Sequence, residues 1–351
     1  MKEVIVHPSL ATDIVSVDIP TPSASQVLIK VIVSGTNPKD WKYPEWLSRA
    51  MNSGDDIAGI VEAVGSGVTA FKKGDRVAAF HQMNTPHGSF AEYAIAWDWT
   101  TFHLPENTSF EEAATIPLVA MTAAIGLFYH LRLPAPFRPA TEPTPIVIYG
   151  GSSSVGAFAI KLARAANIHP IITTAGAGSA FVESLLDPSK GDVFIDYRKG
   201  KEATVAAIKD ALQKAGFQHA KHAYDAISES ASHDYYLPTL SPEGAILATV
   251  LPTPDVNLPA YVQKLQTNVA VVHNEAPADS EEAKSGCVNA WKQFGFVYFQ
   301  LFALGLKQGW LAGHPYTIVP GGLDGVGNAL VDLKSGKASA TKLLVRIAET
   351  S

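Results

Sequence analysis

The sequence predicts an α/β protein in two parts, a small antiparallel β barrel and a doubly wound parallel sheet. Before residue 108, short β-branched runs follow one another with glycine turns between them. After residue 145, strands alternate with helical runs, which means parallel strands joined by crossovers. The length of 351 residues is also more than one core usually carries.

The barrel strands are read at 27–33, ending in Ser34-Gly35, and at 57–64, ending in Gly65-Ser66-Gly67. The turn Lys73-Gly74-Asp75 precedes a strand at 76–80, and another strand is expected to start at Gly88. Ser109 followed by Glu111 and Glu112 reads as a helix start with acidic residues in its first turn, and 122–131 as a second helix. A proline-rich linker, 133–145, leads to strand 146–149, helix 155–166 and strand 170–174. Strand 193–195, helix 203–215 and strands 222–225 and 245–250 continue the alternation. The tail, helix 325–334 and strand 342–347, is too short for its own domain and is expected to return to the first. The expected domains are therefore 1–121, 122–290 and a returning segment 291–351.

Composition narrows the function. Hydrophobic residues make up 47% and charged ones only 17%, so packed cores rather than disorder are expected. A net charge of −6 with scattered Lys and Arg argues against a nucleic-acid or anionic-membrane partner. The only cysteine, Cys287, excludes an internal disulfide and a cysteine-rich zinc site. The first residues lack the apolar core of a signal peptide, and no run of about 18 apolar residues exists, so a cytoplasmic protein is expected.

The strongest local signal is Ile146-Val147-Ile148-Tyr149-Gly150-Gly151-Ser152-Ser153-Ser154-Val155-Gly156, a strand running through small residues into a helix. A pyrophosphate needs this arrangement: backbone N–H groups at a helix N-terminus, with no side chain in the way. The glycine template is imperfect, with Ser153 in the middle place, and a glycine–serine turn alone can be only a turn. The flanking strand and helix favour dinucleotide binding. The next strand ends in Thr174-Ala175-Gly176, where an NAD site usually has a carboxylate for the ribose hydroxyls. Without that charge a 2′-phosphate is not repelled, which favours NADPH over NADH.

At this point the chain resembles the medium-chain dehydrogenase/reductase superfamily over nearly its whole length. The resemblance rests on Gly54-Asp55-Asp56-Ile57-Ala58-Gly59, Gly74-Asp75-Arg76-Val77, Asn37-Pro38-Lys39-Asp40, Ala113-Ala114-Thr115-Ile116-Pro117 and Thr122-Ala123. It is similar to the zinc-independent quinone oxidoreductase and enoyl reductase branch. Within that branch it resembles fungal trans-acting enoyl reductases through Asn37-Pro38 with Asp40 and Lys42, Tyr149 to Ser152, Asp196-Tyr197-Arg198 and the closing 341–346. The resemblance implies a GroES-like catalytic domain interrupted by a Rossmann domain, with the active site in the cleft between them. It implies that Ser152, Ser153, Ser154 and Val155 cradle the pyrophosphate. Ala175 and Ser179 would lie near the 2′-phosphate, and Tyr197 would contact it or the adenine. Pro38, Lys39, Asp40 and Lys42 would approach the nicotinamide, with Val250, Leu251 and Ser339 on its other side. Thr122, Leu127 and Tyr129 would line the substrate site.

Zinc alcohol dehydrogenases of the superfamily carry Gly-His-Glu where this chain has Gly54-Asp55-Asp56, and Asn37 falls near a ligand cysteine. No metal is therefore expected, and the pair His81 and His87 reads as surface or loop histidines. Without a Lewis acid, hydride transfer to an activated C=C bond survives more easily than alcohol oxidation. Lys42 is the family-placed proton donor or a ribose contact, and Tyr43 is next in line. Asp56 faces the cleft or braces the barrel turn. Two aromatic clusters, Trp41, Tyr43 and Trp46, and Trp291, Phe294, Phe296, Tyr298 and Phe299, are core or the wall of an apolar pocket. The expected substrate is a small apolar or acyl compound, and a polyketide synthase or acyl carrier is a partner the resemblance implies. Quinone reduction, a non-catalytic NADPH-binding role, and a monomer or homodimer stay open.

Overall fold

The computed structural model describes residues 1–229, 232–252, 258–274 and 290–349, so Cys287 lies outside the described residues. The chain forms two compact units, 1–118 with 270–351, and 119–269. The sequence-based boundaries lay at 121/122 and 290/291.

The first unit starts with a hairpin, β1 (Lys2–Val6) and β2 (Thr12–Ser16). The long strand β3 (Gln26–Gly35) organises the rest. Helix α1 (Lys39–Leu47) follows, then β4 (Asp56–Val64), β5 (Arg76–Phe80), β6 (Tyr93–Trp97), β7 (Thr101–His103) and the short α2 (Phe110–Ala114). β3 is antiparallel to β4 along its length and to β6 over its first half. Two register shifts between β3 and β4 bend the sheet as bulges do. Val27, Ile29 and Val31, at the strand period of two, turn into one core with Val4, Val6, Ile57, Val61, Val77 and Phe90. The strand expected from Gly88 begins only at Tyr93. Ser89 instead bonds out of register, its N–H to the Gly54 carbonyl and its hydroxyl to Ser34 Oγ at 2.6 Å.

Helix α3 (Pro117–Ala124) starts in the last two residues of the first stretch of the first unit, continues into the second unit and runs into a π-helical turn, Ile125–His130, where one continuous helix 122–131 was expected. Pro117 starts the helix early, because its missing N–H costs nothing in a first turn. Gly126, inside the π turn, lies under the Tyr224 ring, where a side chain would have no room. The unit then alternates: β8 (Ile146–Tyr149), α4 (Ser154–Ala165), β9 (Ile171–Ala175), α5 (Ser179–Leu185), β10 (Val193–Asp196), α6 (Lys201–Lys214), β11 (His222–Asp225), β12 (Ala245–Thr249) and β13 (Val262–Gln266). All pair in parallel in the order β10-β9-β8-β11-β12-β13, the doubly wound arrangement. β8 is buried at all four residues, as a strand covered on both faces must be.

The tail, with α7 (Ala290–Gln308), β14 (Tyr316–Val319), α8 (Val326–Lys334) and β15 (Lys342–Arg346), belongs to the first unit. β15 joins β3 antiparallel, but β14 and β15 are parallel, an exception to the expected antiparallel barrel. The helix α8 between them supplies the crossover that a parallel pair needs.

A Cβ at Gly126 would sit 2.0 Å from the Tyr224 ring, which is fully buried and hydrogen-bonded to the Thr122 carbonyl. Gly126→Ala is therefore expected to destabilise the second unit by about 1–3 kcal/mol, read as an earlier urea or thermal transition.

Candidate active site

The turn after β8 has the features of an anion cradle. Gly150 adopts φ +83°, and its N–H is held by Thr174 Oγ1 at 3.2 Å. The Gly151 N–H bonds to the Thr174 carbonyl at 2.8 Å. A Cβ at Gly151 would meet Thr173 Oγ1 at 2.3 Å, and one at Gly156 would meet the Gly150 carbonyl at 2.2 Å. Small residues are thus required by the backbone's close approach to β9. Ser153 is the N-cap of α4, its hydroxyl accepting from the Gly156 N–H at 3.0 Å. The N–H groups of Ser154 and Val155 have no acceptor within the helix and remain available at its positive end. Ser152, Ser153, Ser154 and Val155 are all half-buried, as residues at the rim of a ligand site are.

The strand ends beside this turn carry little charge. Thr174 and Ala175 are buried, and the loop to Ser179 has no ionisable side chain. β10 ends next to β9, with Asp196 opposite Ala175. Tyr197 follows, and a Cβ on Gly176 would lie 3.2 Å from its hydroxyl. The Tyr197 ring is 6.0 Å from Tyr149 and 6.2 Å from Tyr235, and Tyr149 is 5.8 Å from Tyr236. Burial pushes the Tyr149 and Tyr236 phenols well above their usual range, so both stay neutral. This tyrosine group was not legible in the sequence, because its members come from the end of β8 and from the segments after β10 and β11.

Asp225, the last residue of β11, was also missed. Its buried carboxylate accepts from the N–H groups of Ile227 (3.0 Å) and Ser228 (2.7 Å), from Ser232 Oγ (2.5 Å) and from the Tyr236 hydroxyl (2.9 Å). Ser228 Oγ in turn accepts from the Val250 N–H at 2.9 Å. The loops after β11 and β12 are thereby tied together, and Val250 and Leu251 are held half-buried.

In the first unit, two buried ion clusters stand where the sequence has Asn37, Lys39, Asp40, Asp55 and Asp56. Asp56 is fully buried: Oδ2 accepts from Lys342 Nζ (2.5 Å) and Asn37 Nδ2 (2.7 Å), and Oδ1 from the Leu118 N–H (2.7 Å). Of the two readings left open for Asp56, bracing is the one its bonds describe. Lys39 turns inward, its ammonium ion-paired with Asp55 and with Asp40 (2.9 Å) and bonded to the Ser53 carbonyl. Asp40 also accepts from the Asn37 N–H at 2.8 Å. Burial pushes Asp40 up to about 7 and Asp55 up to about 6, against the opposing pull of the ammonium. Burial would lower Lys39, but the two carboxylates outweigh it and hold Lys39 above its usual range.

The other expected residues are spread. Lys42 is half-buried on α1, its ammonium 5.3 Å from the Trp41 ring centre and without a carboxylate partner among the described residues. Pro38 and Ser339 are exposed. Thr122 and Leu127 are buried, whereas Tyr129 is 50% exposed. Ser179 opens α5. The aromatic clusters divide: Phe299 packs on Phe102 and Phe302, Trp41 packs against the strand core, and Trp46 and Phe296 are exposed. His81 is not a surface histidine. It is buried, with Nδ1 donating to the Ile95 carbonyl (2.6 Å), and burial pushes it down to about 4. Among the described residues, no three His, Cys, Asp or Glu side chains converge as metal ligands. No helix among them is long and apolar enough to cross a membrane.

Residues 23–106 match the model of the alcohol dehydrogenase GroES-like domain. A trans-enoyl reductase of Gibberella fujikuroi is 42% identical over 326 residues, covering 92% of this chain and 91% of the relative. One of Aspergillus sclerotiorum is 33% identical, covering 94% and 95%. Among solved structures, the CurK enoyl reductase superposes with a TM-score of 0.74 at 18% identity, over 98% of each chain. A quinone oxidoreductase of Pseudomonas syringae does so with a TM-score of 0.70 at 21% identity, over 97% of this chain and 99% of the other. At these identities the structures speak for the fold, a GroES-like domain with a Rossmann sheet, as in medium-chain dehydrogenases/reductases. The chain belongs to the trans-enoyl reductase family of that superfamily. Members bind a nicotinamide dinucleotide, and the turn 150–156 fits one.

Lys342→Met is expected to cost about 3–5 kcal/mol, because it leaves the Asp56 carboxylate buried without a counter-charge. The double variant Lys342→Met with Asp56→Leu should recover part of that loss in urea denaturation. A pH effect follows from Asp40, whose folded-state pKa is raised. Its linked stability is full below the unfolded value near 4 and is lost as pH rises through about 7. Between pH 5 and 8, Asp40→Asn should therefore gain on the wild type by on the order of 1 kcal/mol, measured as the difference in unfolding free energy.

Proposed function

We propose that the chain is an NADPH-dependent reductase of an activated C=C bond, in an enone or enoyl thioester, and that it works without zinc. The observation that carries this is the anion cradle at 150–156 beside an uncharged β9 end, in a chain aligned along 92% of its length with a trans-enoyl reductase. Ala175 offers no carboxylate to repel a 2′-phosphate or to hold a 2′-hydroxyl, which supports NADPH over NADH.

A catalytic zinc does not fit the residues present. Asp55 stands at the ligand position of the zinc-dependent relatives, and its carboxylate is already ion-paired with Lys39. Asn37 spends its amide on Asp56 and on Lys342. Neither is a soft or imidazole ligand.

NADPH, when bound, supplies the hydride for the β-carbon. The chain must then stabilise enolate character at the carbonyl and deliver a proton to the α-carbon. Lys42 is our candidate donor, with Tyr43 as the alternative. Of the two lysines at the start of α1, Lys39 is held by Asp40 and Asp55, while Lys42 has no carboxylate to neutralise it among the described residues. We assign Pro38, Lys42, Val250, Leu251 and Ser339 to the cofactor, and Thr122, Leu127 and Tyr129 to the substrate. The relatives' name supports an enoyl group as the substrate, and we take a polyketide synthase or acyl carrier as the partner that the resemblance implies. A cytoplasmic monomer or homodimer completes the reading.

The test is NADPH consumption with enoyl thioesters, enones and quinones side by side. Enoyl thioesters should be reduced, and activity confined to quinones would overturn the proposal. Turnover should survive chelators, with far less than one zinc per chain by metal analysis. Lys42→Ala should lower kcat by about 100-fold or more if Lys42 donates the proton; an unchanged kcat and KM would remove it from the site.

A further inference from the structure

We propose that the 2′-phosphate of NADPH is recognised from the loop after β10, by Lys199 together with Arg198, rather than from the loop after β9. This rests on the NADPH reading above and names the cations that reading lacks. β9 and β10 are parallel neighbours, and their last residues, Ala175 and Asp196, lie opposite each other. The loops that follow touch, with Gly176 packed against the Tyr197 hydroxyl. A group at the end of β9 is therefore within reach of the β10 loop.

The two loops differ in charge. The first, Ala175 to Ser179, has no ionisable side chain, and the next charged residue is the acidic Glu183. The second carries Arg198, Lys199 and Lys201 within five residues of Asp196. Lys201 leans on Asp234 at 3.2 Å. Asp196 clamps Arg198 through both carboxylate oxygens, to Nε at 2.9 Å and Nη2 at 2.7 Å, and also accepts the Arg198 N–H at 3.0 Å. That clamp fixes the guanidinium plane and leaves its remaining N–H donors for a second anion. Lys199 is exposed and lies beyond ion-pair distance of any carboxylate among the described residues, though its charge is felt by Asp196. The loop thus keeps a positive surplus beside an uncharged neighbour, which suits a phosphomonoester dianion. A 2′-hydroxyl carries no charge for either cation to pair with.

The experiment measures NADP⁺, NAD⁺ and adenosine 2′,5′-bisphosphate binding by calorimetry for wild type, Lys199→Ala, Lys199→Glu and Arg198→Ala. Wild type should bind NADP⁺ more tightly than NAD⁺. Lys199→Ala should weaken NADP⁺ and the bisphosphate by about tenfold, and Lys199→Glu by more, with NAD⁺ affinity moving less than twofold. The preference of the wild type should also shrink as salt is raised. A wild-type preference that persists undiminished in all three variants overturns this assignment and leaves the NADPH reading standing. Equal affinity of the wild type for NADP⁺ and NAD⁺ overturns both.

Discussion

The carboxylate of Asp56 ties together three stretches of the GroES-like domain that are remote in sequence. It holds Asn37 at the end of β3, Lys342 at the start of β15 and the amide of Leu118. A carboxylate with no access to water must have its lone pairs met by the protein, and these donors meet them. Lys342 also bonds Asn37 Oδ1 at 3.0 Å, which closes a ring of three side chains. Space at this point is limited. A Cβ at Gly35 would lie 2.3 Å from the Ala114 carbonyl and 3.0 Å from Lys342 Cε. The returning tail is therefore a part of the domain that the N-terminal strands need, since without Lys342 the charge of Asp56 is unbalanced.

A second ring adjoins the first through Asn37 and fixes α1. Lys39, Asp40 and Asp55 bring one cation and two anions into the interior, and Ser53 Oγ adds a bond to the Asp40 carbonyl at 2.7 Å. The ammonium pairs with both carboxylates, and these three side chains hold the start of α1 against the loop before β4. The same inward turn of Lys39 separates its role from that of Lys42, three residues later on α1. One lysine holds the helix in place, and the other lies over the Trp41 ring without a carboxylate partner among the described residues.

The Rossmann unit uses the same device at a smaller scale. Asp225 gathers two amides, a serine and a tyrosine, and through Ser228 it also orders the loop after β12. Thr174 does the equivalent for the glycine turn after β8. In both places a short polar side chain at a strand end satisfies the neighbouring loop's N–H groups. The helix-end amides of Ser154 and Val155 have no acceptor within the helix.

The sequence by itself determined the two architectures, the alternation of strands and helices from 146 to 250 without α5 or β13, and the strand–turn–helix at 146–156. Those depend on local signals: β-branched runs, the strand–turn–helix at 146–156, and small residues where the backbone must approach closely. Only the tertiary structure decided what Asp55 and Asp56 do. Lys342 lies 286 residues from Asp56, and no periodicity announces such a pairing. The early end of α3 in a π turn and the parallel β14–β15 pair are likewise not marked by any local signal in the sequence. The burial of His81 and the inward turn of Lys39 have the same origin. A charged or aromatic side chain takes its role from what surrounds it, and those surroundings are assembled from distant segments once the chain has folded.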